Sequence, residues 1–328
     1  MSETRPELRE ALEGLHAGFR LETLPGDAST RRFHRLFLAE GATRIVMDYG
    51  APFSGETDDV KLARIFEAAR LPVARVLDVL PGAGCLLLED LGDVTLEQAL
   101  ERGGRRADSP GTLYARAVEL AADIATRGTG ALAASERSQG PALDAERFRF
   151  EMRFFLEHFV QGLRQAPVPP RATEEALDRL ADEVAGHPRV MCHRDYHSRN
   201  IMVRGDGSLA MVDIQDARWG PDTYDVASLL HDAYVEIGEL DVKEGFERYA
   251  RLLPPGQDLD ALRERFHLTA TQRMIKALGT FGYQIVRLGR ERYREAIPRT
   301  LARLDRSLPA HPETRPLHAA LSAAGIFA

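Results

Sequence analysis

The sequence predicts an α+β protein in which a small strand-rich part, residues 1–91, precedes a larger and mainly helical part, residues 92–328. Three observations carry this expectation. Short β-compatible runs bounded by turn residues cluster before Gly92, and apolar residues at helical spacing dominate after it. One β-like island, "RVMCHRDYHSRNIMVRGDGSLAMVDIQDA", interrupts the helical part. At 328 residues the chain has enough material for one large domain or two modest ones.

The elements follow in order. After a short N-terminal helix, "RFHRLFLAE" (32–40) and "TRIVMDYG" (43–50) read as strands, and the intervening "EGA" suits a hairpin turn. Val60, Ala63, Ile65, Phe66 and Ala69 fit one face of a helix between Asp58 and Arg70. "LPVARVLDVL" then reads as a strand, "PGAG" as a turn and "CLLLED" as another strand. Beyond Gly92, Leu113, Ala117, Leu120, Ala121 and Ile124 share one helical face, as do Phe148, Met152, Phe155, Phe159 and Leu163. "RQAPVPPRAT" breaks the pattern, and helices are expected again over 172–185, 223–237, 241–253, 258–288 and 290–307. The island reads as loop, strand, a turn at "GDG", strand and loop.

Composition removes several function classes. The net charge of -7 argues against sequence-independent nucleic-acid binding, which needs a basic surface. Only two cysteines occur, Cys85 and Cys192, both in apolar runs, so reduced buried thiols and a cytoplasmic location are expected. The N-terminus lacks the apolar core of a signal peptide and no run could span a bilayer, so a membrane partner is not expected.

The island holds the chemistry. His193, Asp195 and His197 alternate, so on a true strand they would face one side and could ligate a metal. A metallohydrolase needs further ligand clusters, however, and the other histidines are scattered. A phosphoryl-transfer reading uses more of the residues. Asp195 and Asn200 have the D-x-x-x-x-N spacing of a kinase catalytic loop, in which the aspartate accepts or orients the acceptor hydroxyl and the asparagine binds Mg²⁺. Asp213, after the apolar run "LAMV" and beyond the "GDG" turn, supplies a second hard oxygen ligand. His193 is expected to brace the loop around Asp213, and His197 to be a polar loop residue. Asp225 opens a helix, so its carboxylate either caps that helix or ties down the catalytic-loop backbone.

"HRDYHSRN" together with "MVDIQDARWGPDTYDVASLL" resembles the aminoglycoside phosphotransferase and choline kinase-like families, which share the two-lobe protein-kinase-like fold. With "LPGDASTRRFHRL", "RIVMDYGAP", "LLLEDLGD", "GPDTYD" and "TQRMIKALGTFG" added, the chain is similar to the anomeric sugar kinases over about residues 20 to 307. Those enzymes phosphorylate N-acetylmuramate and N-acetylglucosamine at the C1 hydroxyl during cell-wall sugar recycling. The resemblance implies Asp195 as catalytic base, Asn200 and Asp213 as Mg²⁺ ligands, and ATP as donor. It places the adenine edge against backbone groups of Glu89 and Leu91, and a phosphate-covering turn at Ser29, Thr30, Arg31 and Arg32. One departure from the wider kinase pattern is that Met47 or Asp48 stands where a phosphate-binding lysine would end the strand. Arg31 and Arg32 are the candidate replacements, since arginine grips phosphate bidentately.

The acceptor pocket is expected among helices after the hairpin and around 148–158. Its candidate lining is Glu151, Arg153, Gln215, Asp216, Arg218, Arg273 and Lys276. The basic members suit a sugar bearing a carboxylate. Two other readings stay open at this point: a kinase of choline, homoserine or an aminoglycoside, and a catalytically silent nucleotide-binding module.

Overall fold

The computed structural model describes residues 5–24, 31–102, 110–167 and 170–327. By packing, the chain forms two units, residues 1–94 with 202–215 and residues 95–201 with 216–328. The "GDG" hairpin therefore belongs by its contacts with the strand-rich unit, although chain order sets it inside the helical part.

The first unit carries α1 (Pro6–Leu15), β1 (Phe19–Thr23), β2 (Arg32–Leu38), β3 (Thr43–Asp48), α2 (Asp58–Ala68), β4 (Val76–Leu80) and β5 (Cys85–Glu89). Its antiparallel sheet has the order β1-β2-β3-β5-β4. The expected hairpin is present, with Phe37 opposite Thr43 and Arg32 opposite Asp48. Strand alternation sends side chains to opposite faces. Leu36, Val46, Cys85 and Leu87 pack with Leu8 and Leu12 of α1, whereas Met47 and Leu86 pack with Val60 of α2. The first strand, "FRLET", was not anticipated, because an edge strand with alternate polar residues gives little apolar signal. Asp48 is buried at the end of β3, where Arg5 donates to its Oδ1 at 2.6 Å.

The second unit is built from α3 (Leu96–Arg102), α4 (Pro110–Asp123), α5 (Thr129–Ala133), α6 (Ala145–Phe155), α7 (Arg171–Ala185), and the strand β6 (Arg189–Cys192). The hairpin strands β7 (Ile201–Val203) and β8 (Leu209–Met211) come next, and β9 (Arg218–Pro221) returns to pair antiparallel with β6. Five helices finish the chain: α8 (Tyr224–Leu230), α9 (Glu239–Leu252), α10 (Leu259–Val286), α11 (Ile297–Ser307) and α12 (Arg315–Ala323). π-helical turns join α4 to α5 and continue α6 to Leu163. Phe148, Met152, Phe155 and Phe159 are all buried, as their spacing predicts, against Ile275, Leu278 and Phe281 of α10. No helix among the described residues is long and apolar enough to cross a membrane.

One helix is shorter than its apolar pattern suggests. The helix expected over 223–237 ends at Leu230. Beyond it, the carbonyls of Asp232, Val235 and Ile237 accept hydrogen bonds from the buried Arg303 guanidinium, and Asp232 turns its carboxylate to other backbone amides. A distant arginine thus competes with the i→i−4 ladder for the same carbonyls, and local periodicity cannot register it.

α10 reaches α6 and its π-helical continuation through glycines. A Cβ on Gly279 would sit 2.9 Å from the Phe155 backbone, and one on Gly282 only 2.4 Å from the His158 carbonyl oxygen. This approach sets the next face of α10, with Lys276, Thr280 and Tyr283, beside α6. In an open helix Gly→Ala stabilises by about 1 kcal/mol. Gly282→Ala is expected to do the reverse, costing about 1–3 kcal/mol through overpacking. Chemical denaturation decides the sign, and a stabilised variant would refute the close approach.

Candidate active site

The metal-binding alternation considered above would require residues 193–197 to be a strand, and they are not. β6 stops at Cys192, Arg194 adopts a left-handed φ of 81°, and the segment closes in a 3₁₀ turn over Ser198–Asn200. A non-glycine residue in that region costs about 1–3 kcal/mol unless its surroundings impose it. Here they do. The Asp225 carboxylate accepts from the His193 amide at 2.6 Å and the Arg194 amide at 3.0 Å. The second of the two roles open to Asp225 is therefore the one observed. Two turns further along, Asp232 accepts from the Ser198 amide at 2.6 Å. Between these clamps, buried Tyr196 donates to the Ala117 carbonyl at 2.7 Å. Arg199 forks onto Glu97 at 2.8 and 2.9 Å, and stacks on Tyr234 at 3.7 Å. The loop is rigid by construction, with one carboxylate left to present, that of Asp195.

Lys276 Nζ donates to Asp195 Oδ1 at 2.7 Å, and Arg273 Nη2 lies 3.9 Å from the same oxygen. Burial alone would raise the Asp195 carboxyl, but Lys276, Arg194 and Arg273 hold it well below the usual carboxylate range. Asp195 is thus anionic at neutral pH. Burial pushes the Lys276 ammonium down, and Arg273 adds to that push while Asp195 opposes it. His193 is fully buried against Tyr196. His197, in the loop as expected, packs edge-on against Tyr234, and burial lowers it to about 4, so it is a neutral imidazole.

The Asn200 Nδ2 donates to the Asp195 carbonyl at 2.9 Å. That bond fixes the amide's orientation and turns its oxygen away as a hard donor. Asp213 lies in the first unit just after β8, exposed and at a left-handed φ of 61°, a conformation aspartate tolerates better than most residues. An amide oxygen and an exposed carboxylate are each hard donors of the kind Mg²⁺ takes.

A cavity of about 300 Å³ opens at Asp195 within the second unit. Glu151, Asp216, Arg147, Arg194 and Lys276 supply its polar lining, and Phe150, Phe154 and Tyr283 an aromatic wall. Among the expected acceptor residues, Glu151, Asp216 and Lys276 are therefore at the cavity. Arg273 is buried just behind it, donating to Tyr224 and Ser228 at 2.7 and 2.8 Å. Arg218 is held by Asp216 at 2.7 Å. Arg153 points elsewhere and is exposed on α6, and Gln215 falls in the first unit. Arg147, Phe150, Phe154, Thr280 and Tyr283 were not anticipated. One signal was available: Phe150 and Phe154 stand one turn apart on the face of α6 opposite its core residues, and Phe150 is 49% exposed. The basic residues do not mark an anionic sugar by themselves. Arg194 pairs with Asp216 at 2.7 Å, Arg147 with Glu151 at 3.2 Å and Lys276 with Asp195, so the lining is balanced.

In the first unit, Arg31 meets both Asp59 oxygens of α2 at 3.0 Å. Kinases make the corresponding pair between a β3 lysine and a helix acid. Here the cation comes from the segment before β2, while the β3 terminus is committed to Arg5 through Asp48. Arg32 is exposed at the start of β2, and Ser29 and Thr30 lie outside the described residues. After β5, Arg35 grips Asp90 at 2.7 and 3.1 Å and Asp93 at 2.6 Å, which stiffens "EDLGD". The Glu89 amide is already donated to the Arg75 carbonyl at 2.9 Å, whereas that of Leu91 has no partner among the described residues.

Comparison with known proteins agrees with this geometry. A family model described as "Phosphotransferase enzyme family" matches residues 20–265. An N-acetylmuramate/N-acetylglucosamine kinase of Neisseria meningitidis is 30% identical, over 92% of this chain and 90% of that protein. One of the same name from Pseudomonas aeruginosa is 31% identical, over 89% and 85%. Among solved structures, an aminoglycoside phosphotransferase bound to gentamicin superposes with a TM-score of 0.61 at 13% identity, covering 92% of this chain and 97% of its own. The choline kinase LicA of Streptococcus pneumoniae gives 0.60 at 14%, covering 90% and 98%. At such identities these last two share the fold alone.

Proposed function

Since this chain belongs to the phosphotransferase enzyme family and is an ATP-dependent kinase of a sugar hydroxyl, we propose that it phosphorylates the anomeric C1 hydroxyl of N-acetylmuramate and N-acetylglucosamine, with Mg²⁺ as the metal. The carrying observation is Asp195, a half-buried anion on a doubly clamped loop, facing a cavity with balanced charges and an aromatic wall. Such a wall suits the apolar face of a sugar ring, and the ion pairs around it offer donors and acceptors to hydroxyls.

Asp195 Oδ1 is engaged by Lys276, which leaves Oδ2 to accept the acceptor's O–H. An anomeric hydroxyl is more acidic than an ordinary alcohol, so a carboxylate held this low is an adequate partner. Positioning contributes most of the rate in phosphoryl transfer, where bond formation to the acceptor lags behind bond breaking. Asn200 and Asp213 would hold Mg²⁺, which supplies charge neutralisation on the transferring phosphoryl group. Arg31, steadied by Asp59, takes the phosphate-facing role of the missing lysine, with Arg32, Ser29 and Thr30 beside it in the chain. The Leu91 amide is the hinge donor for adenine, and Glu89 contributes through its carbonyl. Both thiols are free and buried, as a reducing, ATP-supplied cytoplasm leaves them.

ADP release measured with N-acetylglucosamine, N-acetylmuramate, choline and an aminoglycoside tests the acceptor. Turnover of either sugar is expected. Turnover confined to choline or the aminoglycoside would overturn the assignment. Asp213→Asn isolates the metal role, because asparagine also accepts a left-handed backbone. It should raise the Mg²⁺ needed for half-maximal turnover by at least about 10–100-fold, as loss of a ligand exceeds loss of a ligand's partner. A metal titration of the variant reads this directly, and an unchanged midpoint would remove Asp213 from the metal site.

A further inference from the structure

A second cavity, about 120 Å³, meets the larger one at Asp195, Lys276 and Thr280. Its apolar lining is Ala233, Met274, Ala277 and Phe281. Its other residues include three whose buried polar atoms have no hydrogen-bond partner among the described residues: Arg273 Nε, His197 Nδ1 and His231 Nδ1. Arg273 is only 8% exposed, so its Nε–H has little water to fall back on. Buried polar groups are nearly always satisfied in a working protein, by protein, water or ligand. Burial keeps both imidazoles neutral, His197 at about 4 and His231 at about 3.

On a pyranose, the substituent on C2 springs from the carbon next to C1. If the C1 hydroxyl lies on Asp195, the C2 substituent must enter a space that Asp195 also lines. The larger cavity, with its aromatic wall, is the one sized for the ring. We propose that the smaller cavity is the N-acetyl pocket. The amide of the 2-acetamido group lies against the polar lining of Ser228, His197 and His231, and its methyl rests on Ala277, Met274 and Phe281. The preference for amino sugars is then set by α10. This inference rests on the acceptor reading above.

The test compares kcat/KM for N-acetylglucosamine with that for glucose, which carries a hydroxyl at C2. Wild type is expected to favour the N-acetyl sugar. Ala277→Met fills the apolar lining and should lower kcat/KM for N-acetylglucosamine at least tenfold more than it lowers that for glucose. Ala277→Gly enlarges it and should shift the best N-acyl chain from acetyl towards propionyl, an outcome that misfolding cannot imitate. If both variants keep the wild-type ratio and chain-length optimum, the pocket assignment is wrong and the acceptor reading stands. If wild type phosphorylates neither sugar, the acceptor reading falls and takes the pocket with it.

Discussion

Asp195→Asn is expected to lower kcat by about 10²–10⁴-fold, the usual range for removing a positioned base. The change keeps the side chain's shape but removes the charge that Lys276 faces and the acceptor that the sugar hydroxyl needs. The Asn200 side chain donates to the Asp195 backbone carbonyl and not to its carboxylate, so the amide's orientation survives the substitution. The clamps on the loop also survive, since none involves the Asp195 side chain. The expected signature is therefore a collapse of ADP release beside a melting temperature close to wild type. Retention of more than about a tenth of wild-type turnover would remove Asp195 from the role of base.

Asp225→Ala is expected to do the opposite, acting first on stability. The carboxylate is buried and accepts two backbone amides of the catalytic loop. Burial raises its carboxyl, and His193 and the two loop amides pull it back. Alanine leaves both N–H groups buried without an acceptor, at about 1–3 kcal/mol each. Arg194 is then no longer forced into its left-handed conformation, and relaxation there displaces Asp195, its neighbour. Lowered stability and lowered kcat should appear together, and Asp225→Asn, which retains one acceptor oxygen, should fall between alanine and wild type. Thermal melts and turnover on the same preparations check both. A wild-type melt with wild-type activity would show that the tether is dispensable.

Much of the fold was legible because its signals are local. The β2–β3 hairpin, the buried face of Phe148, Met152, Phe155 and Phe159, and the long α10 follow from spacing alone. The elements that were not legible lack such a signal. β1 is an edge strand with polar alternation, and α8 ends early because Arg303, more than seventy residues away, takes the carbonyls beyond it. At the site, Asp195, Asn200 and Asp213 stood out because a catalytic loop and its hairpin are compact in sequence. The acceptor lining did not, since it joins α6 to α10 across more than a hundred residues.

By itself the sequence determined the α+β class and the phosphoryl-transfer chemistry, because the motif that activates a hydroxyl occupies one short stretch. The tertiary structure decided three things that no stretch contains. It gave Asp225 the role of tether, made Lys276 the partner of Asp195, and cancelled the basic residues of the acceptor cavity against nearby acids. The tether and the Lys276–Asp195 pair join groups far apart in the chain, and such interactions depend on distance and burial, which only packing sets.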